Sequence, residues 1–130
     1  MKRVYKLTPV NQYDIAGMES WLSDMAARGL HLIKFRPLFC TFERGAPGEV
    51  RYRVEPHRRV MDDDLPRQML ELYEEFGWEY ADEVNRSLLI FRTADPSAPE
   101  PHTDPELQAR VWRKMYRSDR NGFVLNVLSL

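Results

Sequence analysis

Three histidines, His31, His57 and His102, and one cysteine, Cys40, are the residues of this chain best suited to metal or nucleophile chemistry. They fall in separate segments, with none of the short ligand spacings that a zinc site needs, so no metal and no cofactor is expected. Cys40 takes the inward phase of a strand, where a thiol away from bases behaves as a small inert hydrophobe. Asp62-Asp63-Asp64 precedes a helical stretch, where acids complement the N-terminal dipole without any cation. Gly45-Ala46-Pro47-Gly48 lacks the lysine of a phosphate loop and joins two strands, whereas that mechanism needs a strand-to-helix turn. Glu71, Glu74 and Glu75 occupy the polar side of an amphipathic helix, with Arg67 and Glu71 at i,i+4 spacing. No nucleophile stands beside a base, and the residues point to binding rather than to an enzyme.

Two groups of charges are better candidates. Strand alternation collects Lys6, His31, Glu43, Arg51, Arg53, Glu79 and Arg92 on one open sheet face. Such a face is either a docking surface for an acidic ligand or protein partner, or a solvated surface with cross-strand ion pairs of a few tenths of a kcal/mol each. The second group is Arg110, Arg113, Lys114, Arg117 and Arg120, interleaved with Trp112 and Tyr116 on a C-terminal helix. That helix would pack on the domain, pair in a homodimer, or lie at the inner face of a membrane before a span beyond Leu130. Contact with nucleic acid is a weaker reading, because 19 basic against 20 acidic residues give a net charge of −1.

The elements that must position these charges come in two similar sets. Tyr5-Lys6-Leu7-Thr8-Pro9 recurs as Tyr52-Arg53-Val54-Glu55-Pro56, each followed by a helical pattern that stops at a glycine, Gly29 or Gly77, and then by two strand-like runs. Ile15, Met18, Leu22 and Met25 mark the first helical stripe, and Leu65, Met69, Leu72 and Phe76 the second, with Pro66 in its first turn. The strands are read as Val4–Leu7, Leu30–Phe35, Leu38–Phe42, Val50–Val54, Trp78–Ala81 and Leu88–Arg92. Alternation and the repeat place Tyr5, Leu7, Leu38, Cys40, Phe42, Tyr52, Val54, Trp78, Tyr80, Leu89 and Phe91 inward.

The predicted fold is therefore α+β: a two-layer sandwich of about six strands in one sheet with two helices on one face, built from a duplicated βαββ unit, plus a C-terminal helix. The duplicated domain covers residues 1–94, as repeats 1–46 and 49–94, and a proline-rich linker over 95–103 leaves the sheet. Residues 104–130 hold the basic helix, opened by Thr103-Asp104-Pro105-Glu106, and an apolar tail too short to span a bilayer.

With 130 residues, 43% of them hydrophobic and 30% charged, the chain is long enough for one domain with its own core. Its single cysteine and the lack of an apolar signal region at the start point to a cytoplasmic, reducing compartment.

Four stretches resemble the bacterial DUF2812 family over nearly all of residues 1–104. They are the run from Trp21 to Leu32, the run from Phe42 to Glu49 leading into Arg51-Tyr52-Arg53, Phe76-Gly77-Trp78-Glu79-Tyr80, and His102-Thr103-Asp104. The family has no established activity, cofactor or catalytic residues to carry over. Its members often continue into transmembrane helices and are frequently encoded beside PadR-like transcriptional regulators. The resemblance thus implies a regulatory or sensory domain acting through a protein partner. The plan of two strand-helix-strand-strand units is also similar to GyrI-like effector-binding domains, which implies the alternative of a small-molecule ligand, held where strands Val4–Leu7 and Val50–Val54 would meet.

Overall fold

A computed structural model describes residues 2–9, 11, 14–56 and 67–117, with side chains through Arg113. The element order is β1 (Arg3–Leu7), α1 (Ile15–Ala27), β2 (Leu30–Lys34), β3 (Phe39–Arg44), β4 (Arg51–Pro56), α2 (Arg67–Glu75), β5 (Glu79–Val84), β6 (Leu88–Thr93) and α3 (Pro105–Arg117). The fold is α+β, with three helices and six strands.

Asp14 caps α1 by accepting a hydrogen bond from the Gly17 N–H at 2.9 Å, and Met18, Leu22, Met25 and Ala26 form its buried stripe. Gly29 ends this helix at φ +85°, and Gly77 follows α2 at φ +92°. In α2, Met69, Leu72 and Tyr73 are buried. The acids Asp62 to Asp64, with Leu65 and Pro66, lie outside the described residues, as does His57.

The six strands form two antiparallel sheets of three rather than one of six, with orders β1-β3-β2 and β4-β6-β5. Side chains occupy the edge of β2 where a fifth ladder would be needed to join them. The Leu32 N–H donates to Tyr52 Oη at 3.3 Å, the Leu32 carbonyl accepts from Arg92 Nη1 at 2.7 Å, and the Phe35 N–H donates to Asp82 Oδ2 at 2.8 Å. With its backbone groups satisfied in this way, β2 offers no edge to the second sheet.

Register corrects the expected core. Directly opposed residues of an antiparallel pair share a face, and Val4 stands opposite Phe42, Tyr5 opposite Thr41 and Leu7 opposite Phe39. Tyr5 and Leu7 therefore point away from the core, each 65% exposed, as does Leu38 at 67%. In the second sheet Arg53 opposes Phe91, whereas in the first Val4 opposes Phe42, a two-residue difference that leaves both tyrosines of the motif on the face away from that phenylalanine. Tyr52 is buried because the first half covers that face, and Tyr5 is not.

The second sheet is covered on both faces. Tyr52, Val54 and Ile90 join α1 and the first sheet in one apolar cluster, with Met18, Leu22, Leu32, Phe35, Cys40 and Phe42. Leu89, Phe91 and Trp78 join Met69 and Tyr73 of α2 in another. The two helices thus lie on opposite sides of this sheet, not on one side together. On the second side Tyr73 stacks on Phe91 at 4.2 Å between ring centroids.

Residues 95–101 do not leave the sheet. Ala98 is buried against Trp78, and the indole N–H of Trp78 donates to the Pro99 carbonyl at 2.8 Å. Asp104 then caps α3 by accepting from the Leu107 N–H at 2.9 Å, and α3 packs on α2 through Leu107 and Val111.

Candidate functional site

The seven charges expected on one open face occupy four different places. Arg51 and Arg53 share a face of β4 with Phe91 and Leu89, and the segment 95–101 straps over them. Arg51 donates to the carbonyls of Asp95 at 3.0 Å and Ala98 at 2.7 Å, and its guanidinium lies 5.0 Å from the centroid of the Trp78 ring. Arg53 holds Glu100 through a bidentate pair, Nε to Oε1 and Nη2 to Oε2, while Arg51 reaches Glu100 Oε2 at 3.3 Å. The hydrogen bond from Arg53 keeps the Glu100 carboxyl below the usual carboxylate range. These arginines are a structural clasp; the alternation rule placed them in solvent because it could not see the strap.

Arg92 and Glu79 oppose each other across β6 and β5 and pair at 2.8 Å. Arg92 also bridges to Leu32 of the first sheet, so its guanidinium joins the two halves. His31 and Glu43 oppose each other across β2 and β3 on the outer face of the first sheet. The His31 Nε2–H donates to the Ala46 carbonyl at 2.9 Å, which fixes the turn after β3. Lys6 lies exposed on the edge strand β1.

Of the basic C-terminal group, Arg110 pairs with Glu75 at 3.0 Å and stands 5.6 Å from the centroid of the Phe76 ring. Arg113 is exposed. The side chains of Lys114 and Arg117, and all of Arg120, lie outside the described residues. Of the stripe Leu107, Val111 and Met115 with Trp112, Leu107 is buried, Val111 packs on the cluster that holds Met69 and Tyr73 of α2, Trp112 is 58% exposed, and the Met115 side chain lies outside the described residues.

One cluster escaped the sequence reading. His102 Nδ1 stands 3.0 Å from Glu55 Oε1, and its Nε2 stands 3.8 Å from Glu19 Oε2. The approach to Glu55 is close but poorly aligned, so Oε1 lacks a hydrogen bond of good geometry. Burial pushes the Glu55 carboxyl up, against the opposing pull of His102 and the Tyr73 hydroxyl. The same burial, with the Glu55 carboxylate nearby, pushes the Tyr73 phenol up. Glu19 is occupied in accepting the Val54 N–H at 2.8 Å. The cluster draws on α1, β4, α2 and the strap, residues far apart in the chain; His102-Thr103-Asp104 was its one visible trace. Glu19 ties α1 to β4, while Glu55 links β4 to His102. Among the described residues no group of histidine, cysteine and acids is placed to hold a metal ion. Cys40 is fully buried beside Thr8 Oγ1 at 3.2 Å, and burial pushes its thiol up, away from the reactive thiolate.

Two surfaces remain open. A groove of about 690 Å³ runs between the halves, walled by His31, the turn from Ala46 to Val50, Arg51, and Thr93 to Pro96. It borders the start of β4 but not β1, which pairs with β3 in the other sheet. The other surface is the outer face of the first sheet, where Tyr5, Leu7 and Phe39 are 65%, 65% and 47% exposed.

Among the described residues the architecture is that of a small α+β protein with two three-stranded sheets and three helices. The chain belongs to the family described as Protein of unknown function (DUF2812), whose model matches residues 14–123. No curated protein and no solved structure matches it. No helix among the described residues is long and apolar enough to cross a membrane.

Proposed function

We propose that this chain is a non-enzymatic regulatory or sensory domain that docks a protein partner on the outer face of its first sheet. The carrying observation is the cluster of Tyr5, Leu7 and Phe39, large apolar side chains that share the outer face of the first sheet and are left uncovered among the described residues. Aromatic anchors on an exposed face are the usual centres of binding energy between proteins. The family resemblance supplies the partner class, a PadR-like transcriptional regulator, and a cytoplasmic setting. The matching strand orders of the two halves support descent from one duplicated βαββ unit.

The test is complex formation between the purified chain and a PadR-like regulator encoded beside it. Tyr5→Asp combined with Phe39→Asp should abolish the complex, whereas Glu79→Gln, remote from that surface, should leave it intact. A complex of undiminished affinity in the double variant would sink the reading.

The groove between the halves favours a second reading, a small-molecule effector of the GyrI-like plan, since its volume suits a metabolite and its wall offers His31 and Asp95 as polar contacts. Here Ala46→Trp should block ligand uptake and leave the regulator complex unaffected.

A further inference from the structure

We propose that the partner binds as an added β-strand, an extended segment with apolar residues on one face and acidic residues on the other, along the free edge of β1. This rests on the reading that a protein docks on the first sheet. Among the described residues β1 is the edge of the order β1-β3-β2, paired on one side only. The Arg44 N–H donates to the Lys2 carbonyl and the Thr8 N–H to the Leu38 carbonyl, so the even-numbered residues of this stretch bond inward to β3. In an antiparallel ladder the intervening residues then turn their N–H and C=O groups outward, which leaves those of Arg3, Tyr5 and Leu7 along the open edge. This spacing of donors and acceptors is what an extended peptide completes in β-augmentation.

The side chains specify the segment. Tyr5 and Leu7 extend to the outer face beside Phe39, and a fourth strand would cover them with its own apolar residues. Lys2 and Lys6 fall on the opposite face of β1 and are exposed, and among the described residues neither has a carboxylate partner. Alternate residues of the incoming strand pass beside them, so acids there complete the charge. A second copy of β1 fits less well, because residues 2–9 carry three cations and no acid, so another copy would add Lys2, Arg3 and Lys6 to this edge without a carboxylate to pair with any of them. Lysines are also used to keep edges from pairing at all, but a guarded edge does not leave Tyr5 and Leu7 bare beside it.

The experiment uses the full chain and a short labelled peptide alternating valine and glutamate, with fluorescence anisotropy as the readout. A peptide alternating valine and lysine is the charge control. Two N-methylated versions of the first peptide carry the methyl groups on one or the other set of alternate residues. The expected result is binding of the valine-glutamate peptide, weakened about tenfold or more by Lys2→Glu with Lys6→Glu, and abolished by only one of the two methylation sets. No binding, equal binding of the lysine peptide, or indifference to both methylation sets would each overturn strand addition. Self-association of the chain that Lys6→Glu strengthens would overturn it in favour of a second copy. A regulator complex lost in Tyr5→Asp with Phe39→Asp, but unmoved by Lys2→Glu with Lys6→Glu, would leave face docking standing and remove the strand.

Discussion

The Arg92 guanidinium donates to the backbone carbonyl of Leu32 at 2.7 Å, a bond between β6 of one sheet and β2 of the other. The same group lies 3.5 Å from the Tyr52 hydroxyl, which itself accepts from the Leu32 N–H. Both backbone groups of one edge residue are thus satisfied by two side chains from the second half. Arg92→Met would leave the Leu32 carbonyl without its partner and should destabilise the protein by about 2–3 kcal/mol, read from urea unfolding. A loss below about 0.5 kcal/mol would mean that the bond is replaced by water at little cost.

Glu100→Gln should change the acid limb of stability. The Glu100 carboxyl is held below its usual range by Arg53, so its contribution is present above the ordinary carboxylate pKa and is lost as pH falls through its lower folded value. With 34% of the side chain exposed, solvent screens the pair, and the cost at neutral pH is about 1 kcal/mol. Melting temperatures of the variant and the parent protein should converge near pH ~3. A constant gap between pH ~3 and ~7 would show that the clasp does not depend on the charge.

Glu55→Gln should act with the opposite sign. Burial raises the folded carboxyl above its unfolded value, so the protonated form favours the fold, and that advantage is lost as pH rises through the folded value. The neutral amide escapes this loss while keeping an acceptor for Tyr73. Relative to the parent protein the variant should therefore gain stability between about pH 4 and pH 7, as seen in thermal melts across that range. A relative loss on raising the pH would show that attraction to His102 outweighs burial.

Gly29 and Gly48 should respond differently to alanine. A Cβ at Gly29 would come 2.6 Å from the Gly45 carbonyl oxygen, in a backbone at φ +85°, whereas one at Gly48 meets nothing within 4 Å. Gly29→Ala should cost about 2–4 kcal/mol and Gly48→Ala less than about 0.5 kcal/mol in either direction. Equal effects in denaturant titrations would contradict the described turn.

The parts of the fold set by local periodicity were legible in the sequence. The Met18, Leu22 and Met25 stripe, the glycine stops and six strands could be read because each is decided within a few residues. The exposure of β1 could not, since Tyr5 and Tyr52 match in type and alternate alike, while only Tyr52 lies on a face that the other half covers. The strap was equally hidden. Proline-rich composition reads as a linker, and only the assembled face of Trp78, Arg51 and Arg53 shows what recruits it. His102 was read as a lone loop residue because Glu55 and Glu19 are brought to it by different elements. For the same reason an alternating row of charges could be read as one face when the sheet was in fact two.

The apolar cluster around α1 has a consequence for how the molecule comes apart. Tyr52, Val54, Val84 and Ile90 of the second half complete the packing of Met18, Leu22 and Phe42 in the first. Neither half can close its interior alone, although each has its own sheet and helix. Backbone cleavage in the turn between Gly45 and Glu49 would therefore yield two fragments that keep their structure only as a noncovalent pair. Unfolding of the intact chain should run as one cooperative event, with no stage at which one half survives the other.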